Sequence, residues 1–475
     1  MSAADAAGRA AGPQPLWALV PPEARARYLR RTAQALLDEV DELAGLLAAE
    51  AGMPRTEALL AELLPSVAGL GELADDGPSA LADRRLGRHV VLNAGRRATL
   101  FQAPAGVVGI RGGDGSPWAE PVLEAAAALL AGNGVVLSCA VGAVGERLTS
   151  LLGRAGLPDG LLQLVPAGAD GLEAACDRVV ETGMTGPKGA MLVLDGAPLD
   201  RTISGALWAA FSRAGHGPAS VGRIVCVPSV AEGLLQALQA GARRLRVGDP
   251  RDPETEVGPL PSAGQAEAVE ALVRAAEAAG AVRLCGGPLG GERYAPVVLR
   301  GVARDARLLT EPVPGPVLAV VEAGSEADAI DLARPQRRAT ALPAGSAPAG
   351  AAPTAGGWAG ESAPAISVWT DDRAHGERVA RALGAELTWV NAHGVAAPAP
   401  PVRLARHTAA RQLASQSPRL RSARWLPYDP GLVRASEGVA RLRHGRQSER
   451  LSALRSGGPA FARLAVRMLR ETRPR

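Results

Sequence analysis

The chain has 475 residues, 47% apolar and 21% charged, which excludes a disordered chain and is enough for two or three domains with cores of their own. Aromatic residues are only 3%, so the core is built from Leu, Val and Ala, and nothing suggests an aromatic platform for stacking bases. The net charge of +4 is unevenly spread: residues 401–475 carry 17 arginines against four acidic residues, leaving −9 on residues 1–400.

In chain order, residues 22–50 place Tyr28, Leu29, Leu36, Leu37, Val40, Leu43 and Leu47 at spacings of three and four, which predicts one long amphipathic helix. A second helix is expected over 56–73, then short β-like runs at "HVVLN" and "RATLFQAP". An alternation follows: strand "GVVGI", helix 117–131, strand "GVVLSCA", helix 144–155. It resumes with strand "MLVLD", helix 203–211, strand 223–227, helix 231–244, and later "PVLAVVEA", "AISVWT", helix 373–384 and "LTWVN". Strand alternating with helix is the signature of parallel βαβ units, so the chain is expected to be a soluble α/β protein. Residues 337–364 are almost all Ala, Pro, Gly, Ser and Thr and read as a flexible loop.

The cysteines Cys139, Cys176, Cys226 and Cys285 are widely spaced, with no CxxC pair, and no metal-ligand set is evident. Reduced thiols, the lack of a signal-peptide pattern and the lack of a membrane-length apolar stretch set the expectation of a cytoplasmic protein.

The phrases "AGVVGI", "AALLAGNGVVL", "AGLPDGLLQLVPAG", "LRVGDPRDPETEVGPL", "EPVPGPVLAV" and "SVWTDD" resemble, in order, the NAD(P)-dependent aldehyde dehydrogenase superfamily across residues 17–391. The resemblance implies an aldehyde dehydrogenase-like α/β fold. Its parts are a Rossmann-like cofactor domain over 13–201, a catalytic-type domain over 202–390 containing the loop, and an Arg-rich segment over 391–475 replacing the arm that pairs subunits. It also implies NAD or NADP as cofactor, an aldehyde as substrate and a homo-oligomer as the assembly.

Family chemistry requires a thiolate to attack the aldehyde carbon, a carboxylate base, donors around the oxyanion, and a nicotinamide to take hydride. By the resemblance the nucleophile slot lies in "RAGHGPASVGRIVCV", with Arg223 opening the next strand. It is filled by Pro218, which has no sulfur or oxygen to attack with. The base position is Met184, in the segment aligned through Gly186, Lys188 and Asp195, and the oxyanion donor position is Gly115. Of the cofactor positions, the lysine site is Ser138 and the glutamate site is Pro312, with Glu311 one residue early. A loop and helix that would face the diphosphate are missing after "VVETG". Nicotinamide binding is therefore expected to be weak or absent.

The leading expectation is a pseudoenzyme of this superfamily. The first alternative is an active oxidoreductase with a rebuilt site using His216 and Ser220 as base and hydroxyl. The second is a scaffold or binding protein acting through the basic C-terminal segment on an acidic partner. In that segment "AFARLAVRMLRETR" reads as an amphipathic helix, more often packed on its own protein than on a membrane or nucleic acid.

Overall fold

A computed structural model of the chain describes residues 1–86, 96–182, 187–334, 365–385, 387–394 and 399–416, with Glu437 and Arg441. The run "HVVLN", the loop 337–364 and the C-terminal amphipathic stretch lie outside the described residues. The chain divides into two compact units, Met1–Ala80 with Pro104–Thr408, and Leu81–Ala103 with Ala409–Arg475.

In chain order the described strands are β1 (Arg84–Arg85), β2 (Arg96–Pro104), β3 (Val107–Gly112), β4 (Gly134–Cys139), β5 (Leu162–Val165), β6 (Arg178–Thr182) and β7 (Gly189–Val193). They continue with β8 (Val221–Cys226), β9 (Val282–Gly290), β10 (Arg293–Arg300), β11 (Val317–Glu322), β12 (Ile366–Trp369), β13 (Thr388–Val390) and β14 (Thr408–Gln416).

In the first unit, β5-β4-β3-β6 form a four-stranded, all-parallel sheet. Its strands read as unbroken apolar runs because both faces are covered. One cover is the helix Ala119–Ala131, every residue of which except Glu120 is buried. Its run of alanines lets it lie close to β3 and β4, which is how a chain poor in aromatics fills this layer. Gly132 ends the helix in the left-handed region, φ 98°, and turns the chain directly into β4. The helix Ala3–Ala11, which the sequence did not announce, buries Ala3, Ala6, Ala7 and Ala10 with Val107, Val136 and Val165.

The second sheet runs β13-β12-β7-β8-β11-β10-β9 and is parallel except for the antiparallel β10–β9 pair. The strand at 189–193 is thus a central member of this sheet. Only residues 183–188 separate β6 in the first sheet from β7 in the second, too few for a crossover helix and a further parallel strand. The α/β class is that expected from the sequence, but the boundary expected at 201 is corrected, because the strand 189–193, expected in the first domain, pairs with β8 and β12 of the second sheet.

Two expected elements differ in detail. The helix expected over 22–50 is two helices, Pro22–Asp38 and Val40–Glu50, broken at Glu39, whose φ of −116° leaves the helical region. The Glu39 side chain there pairs with Arg147 and Arg154 of a neighbouring helix. The helix expected over 56–73 begins at Arg55, widens into a π-helix over Ala58–Leu63 and continues to Leu81.

In the second unit, β1-β2-β14 form a three-stranded sheet in which β1 and β2 are antiparallel. The sequence after Asn391, which departs from the family pattern, supplies the strand Thr408–Gln416 to it.

Candidate functional site

The helix Leu199–Phe211 ends in a tight turn, Ser212–Gly215, in which Arg213 (φ 52°), Ala214 (φ 47°) and Gly215 (φ 75°) are all left-handed. Only the glycine adopts this without cost, so the two preceding residues carry strain of about 1 kcal/mol or more each and must be held from outside. Arg213 supplies the hold. Its main-chain N–H donates to the Glu57 carboxylate, and its guanidinium donates to the Ala61 carbonyl at 2.6 Å and pairs with Glu62 at 3.0 Å.

Glu57 and Glu62 flank and line the π-helix, a geometry that shifts side chains out of ordinary helical register. Glu62 is fully buried and also accepts from Ser116 Oγ at 3.0 Å, from Trp118 N at 3.1 Å and from Ala119 N at 2.6 Å. It therefore caps the helix Ala119–Ala131 while pairing with the loop arginine. Burial pushes its carboxyl above the ordinary range, against the opposing pull of Arg213 and these donors. Burial likewise pushes Glu57 up to about 7, opposed by the Arg213 N–H and charge, and its Oε2 is buried with no partner.

Beyond this turn lie the residues singled out from the sequence. Pro218 is half-buried, two residues before the buried Ser220. His216 is buried, and both ring nitrogens are committed: Nδ1 to the carbonyls of Arg213 and Ala214 at 3.1 Å, Nε2 to the Gln265 amide. Gln265 Nε2 also donates to Pro314 O at 2.8 Å, so Nδ1 of His216 carries its proton and Nε2 accepts. Burial, then the nearby Lys188 charge, lower His216 to about 4, and the ring is neutral at pH 7. The structure does not bring His216 and Ser220 together as a base and hydroxyl.

Lys188 is buried, donates to Gly315 O at 2.5 Å, and is lowered to about 7 by burial. It ties the strand β7 end to the 312–316 segment. Gly115 meets the nucleophile loop directly: a β-carbon at 115 would lie 1.8 Å from His216 O. Met184 and Gly186 lie outside the described residues.

At the cofactor positions, Ser138 is buried and its hydroxyl donates to Pro166 O at 3.0 Å. Glu311 is held by a two-pronged pair with Arg307 at 2.7 and 2.9 Å, and Pro312 offers no donor. Asp195 accepts from Ser229. Neither the Ser138 hydroxyl nor the Pro312 ring carries the charge of a lysine or a glutamate.

Cys139, Cys176 and Cys226 are buried and Cys285 half-buried. Burial raises all four thiols, Cys139 and Cys226 to about 12 and Cys176 to about 11. None is an activated thiolate.

Sequence reasoning missed Glu57, Glu62, Gln265 and His393. His393 is buried and holds the loop from its other side, Nε2 donating to Ala219 O at 2.8 Å while Nδ1 faces Ser367 Oγ at 3.1 Å. The basic segment also docks inward: Arg403, Arg406 and His407 surround the buried Glu124 at 2.5, 3.1 and 2.6 Å. The unequal charge of the two stretches was the only sign of this. Among the described residues no helix is long and apolar enough to cross a membrane.

The profile of the aldehyde dehydrogenase family matches residues 1–184 and 179–337. The 4,4'-diapolycopene aldehyde oxidase of a Methylomonas species is 33% identical over 353 residues, 67% of this chain, which spans 65% of that protein's length. The betaine aldehyde dehydrogenase of Cereibacter sphaeroides is 30% identical over 417 residues, covering 80% of this chain and 79% of the other. In fold, the NAD-dependent benzaldehyde dehydrogenase of Corynebacterium glutamicum superposes with a TM-score of 0.73 at 21% identity, covering 86% of this chain and 89% of the other.

Proposed function

The chain belongs to the aldehyde dehydrogenase family, and from that premise we propose that it is a pseudoenzyme, a member retained for its fold and unable to run the family reaction, NAD(P)-dependent oxidation of an aldehyde to a carboxylic acid. The observation that supports this reading is the loop 213–220, where Pro218, at the position the resemblance gives to the thiol, has no nucleophilic atom, and Gly115 packs against the His216 carbonyl. Without a nucleophilic atom no thiohemiacetal forms, so the covalent route is closed rather than slowed.

The same reading extends to the cofactor, for which Ser138 and Pro312 support weak or absent binding of NAD or NADP. A rebuilt site on His216 and Ser220 lacks support, since the imidazole is neutral, buried and already bonded at both nitrogens. Four free cysteines support a reducing, cytoplasmic setting. The β1-β2-β14 sheet supports homo-oligomeric assembly, and the arginine excess after residue 401 supports an acidic partner as the alternative role.

The test is direct. Purified protein is incubated with aliphatic and aromatic aldehydes and either dinucleotide, with calorimetric titration of each dinucleotide alongside. The expected result is no aldehyde-dependent reduction of nicotinamide and no saturable heat. Turnover that a mutation in this chain abolishes would overturn the reading.

A further inference from the structure

We propose that Glu57, Glu62 and Arg213 form a latch that holds residues 213–217 shut against the turn before the helix Ala119–Ala131, and that loss of a proton from this cluster releases it. The proposal stands whether or not the chain oxidises aldehydes.

Three observations carry it. First, the loop is held in a conformation it does not favour, with Arg213 and Ala214 both left-handed. Removing the hold therefore lets the turn relax. Second, the hold consists of two carboxyl groups on one arginine, whose main-chain N–H donates to Glu57 and whose guanidinium, the cluster's one cation, pairs with Glu62. Fully ionised, the cluster carries an uncompensated negative charge out of water; with one proton it is neutral. Third, Glu57 Oε2 is buried without a donor, so the ionised form lacks the solvation that would stabilise it. Glu62 has three donors besides Arg213, the Ser116 hydroxyl and the main-chain N–H groups of Trp118 and Ala119, whereas Glu57 has only the Arg213 N–H, which makes Glu57 the proton's site.

The surrounding charges are otherwise occupied. Arg55 pairs with Asp41 at 2.7 Å, and Glu42 with Arg147 at 2.9 Å. Glu50 and Asp114 are exposed. Glu120 and Glu124 are held by Arg403. Within the site, His216 is neutral, leaving Lys188, lowered by burial to about 7, and Glu62, whose carboxyl burial raises, as the other shifted groups that face the loop.

The direction follows from linkage. Glu57 is raised to about 7 in the closed state against an ordinary value of 4.5, so the closed state binds the proton more tightly than an open, solvated one. The stabilisation is complete below about 4.5, declines as pH rises and is gone above about 7. Between pH 6 and 8 the closed-to-open ratio should fall about tenfold.

The experiment is hydrogen exchange by mass spectrometry on the full chain at pH 6 and 8, corrected for intrinsic rates. In the wild type, amides of 213–217 should lose about tenfold of their protection between the two, while those of Gly189–Val193 stay unchanged. Glu57→Gln keeps the acceptor for the Arg213 N–H but cannot ionise, and should be protected equally at both pH values. Lys188 and Glu62 are intact in that variant, so a loss of protection that persists there is not Glu57's and overturns the proposal. So does a pH-independent wild type, or an equal loss in Gly189–Val193, which marks general unfolding. If Glu57→Gln does not fold, Lys188→Gln decides: a loss of about tenfold retained in that variant supports the latch, and a loss abolished there overturns it.

Discussion

The carbonyl oxygen of His216 sits over the α-carbon of Gly115, with no room between them for a side chain. The position where the family resemblance calls for an oxyanion donor is thus sealed by main chain. Gly115→Asn, intended to restore the donor, should instead force the loops apart and destabilise the chain by about 3 kcal/mol. Urea unfolding followed by circular dichroism measures this as a lowered midpoint at unchanged slope. An unchanged midpoint would mean that the loops do not meet in solution.

Pro218→Cys places a thiol in the nucleophile slot. Because Pro218 is half-buried whereas Cys139, Cys176 and Cys226 are buried, the new thiol should react with iodoacetamide at least about tenfold faster than those three. Aldehyde oxidation should stay at background, since Gly115 and Met184 supply neither donor nor base. Peptide mapping gives the first quantity and nicotinamide absorbance the second; measurable turnover would show that the thiol alone was lacking.

Burial alone would raise Glu124, but Arg403, then His407 and Arg406, outweigh it and hold the carboxyl at about 2. A depressed carboxyl stabilises the fold above its ordinary value of 4.5, and that stability drains away as pH falls towards 2. Glu124→Gln should therefore cost about 3–5 kcal/mol at pH 7, and the gap from wild type should shrink progressively between pH 4.5 and 2. Denaturant titrations of both proteins across this interval check the sign; a constant gap contradicts it.

The wild-type thiols offer a simpler check. Cys285 is half-buried while the other three are buried, so a disulfide-exchange reagent at pH 8 should titrate one thiol quickly and three only on unfolding. Two or more fast thiols would show that β4, β8 or the turn before β6 opens readily.

Much of the fold was legible because buried parallel strands leave continuous apolar runs. "GVVGI", "GVVLSCA" and "MLVLD" each fall on a strand whose residues are almost all buried. What was not legible is the network that holds the loop 213–220. Glu57 and Glu62 sit in a helical stretch where acidic residues ordinarily face solvent, and only the π-turn and the distant Arg213 bring them inside. His393 reaches Ala219 across 174 residues of sequence, and no local pattern encodes such a meeting. The break at Glu39 has no glycine or proline to mark it, and the Arg147 and Arg154 side chains paired with Glu39 there lie more than 100 residues away in sequence.

Among the described residues, the short passage from β6 to β7 leaves β6 as the border of its sheet. An unfinished border offers free main-chain donors and acceptors to any extended peptide, the usual starting point for polymerisation between copies. Here that hazard is met by brevity and charge. The strand is five residues long, Glu181 carries a carboxylate along it, and Arg178 at its start reaches the carbonyls of Arg406 and Thr408. With its sheet ending at β6 this chain has a vulnerable margin, and keeping that margin from sticking to its neighbours is a constraint on the residues that line it.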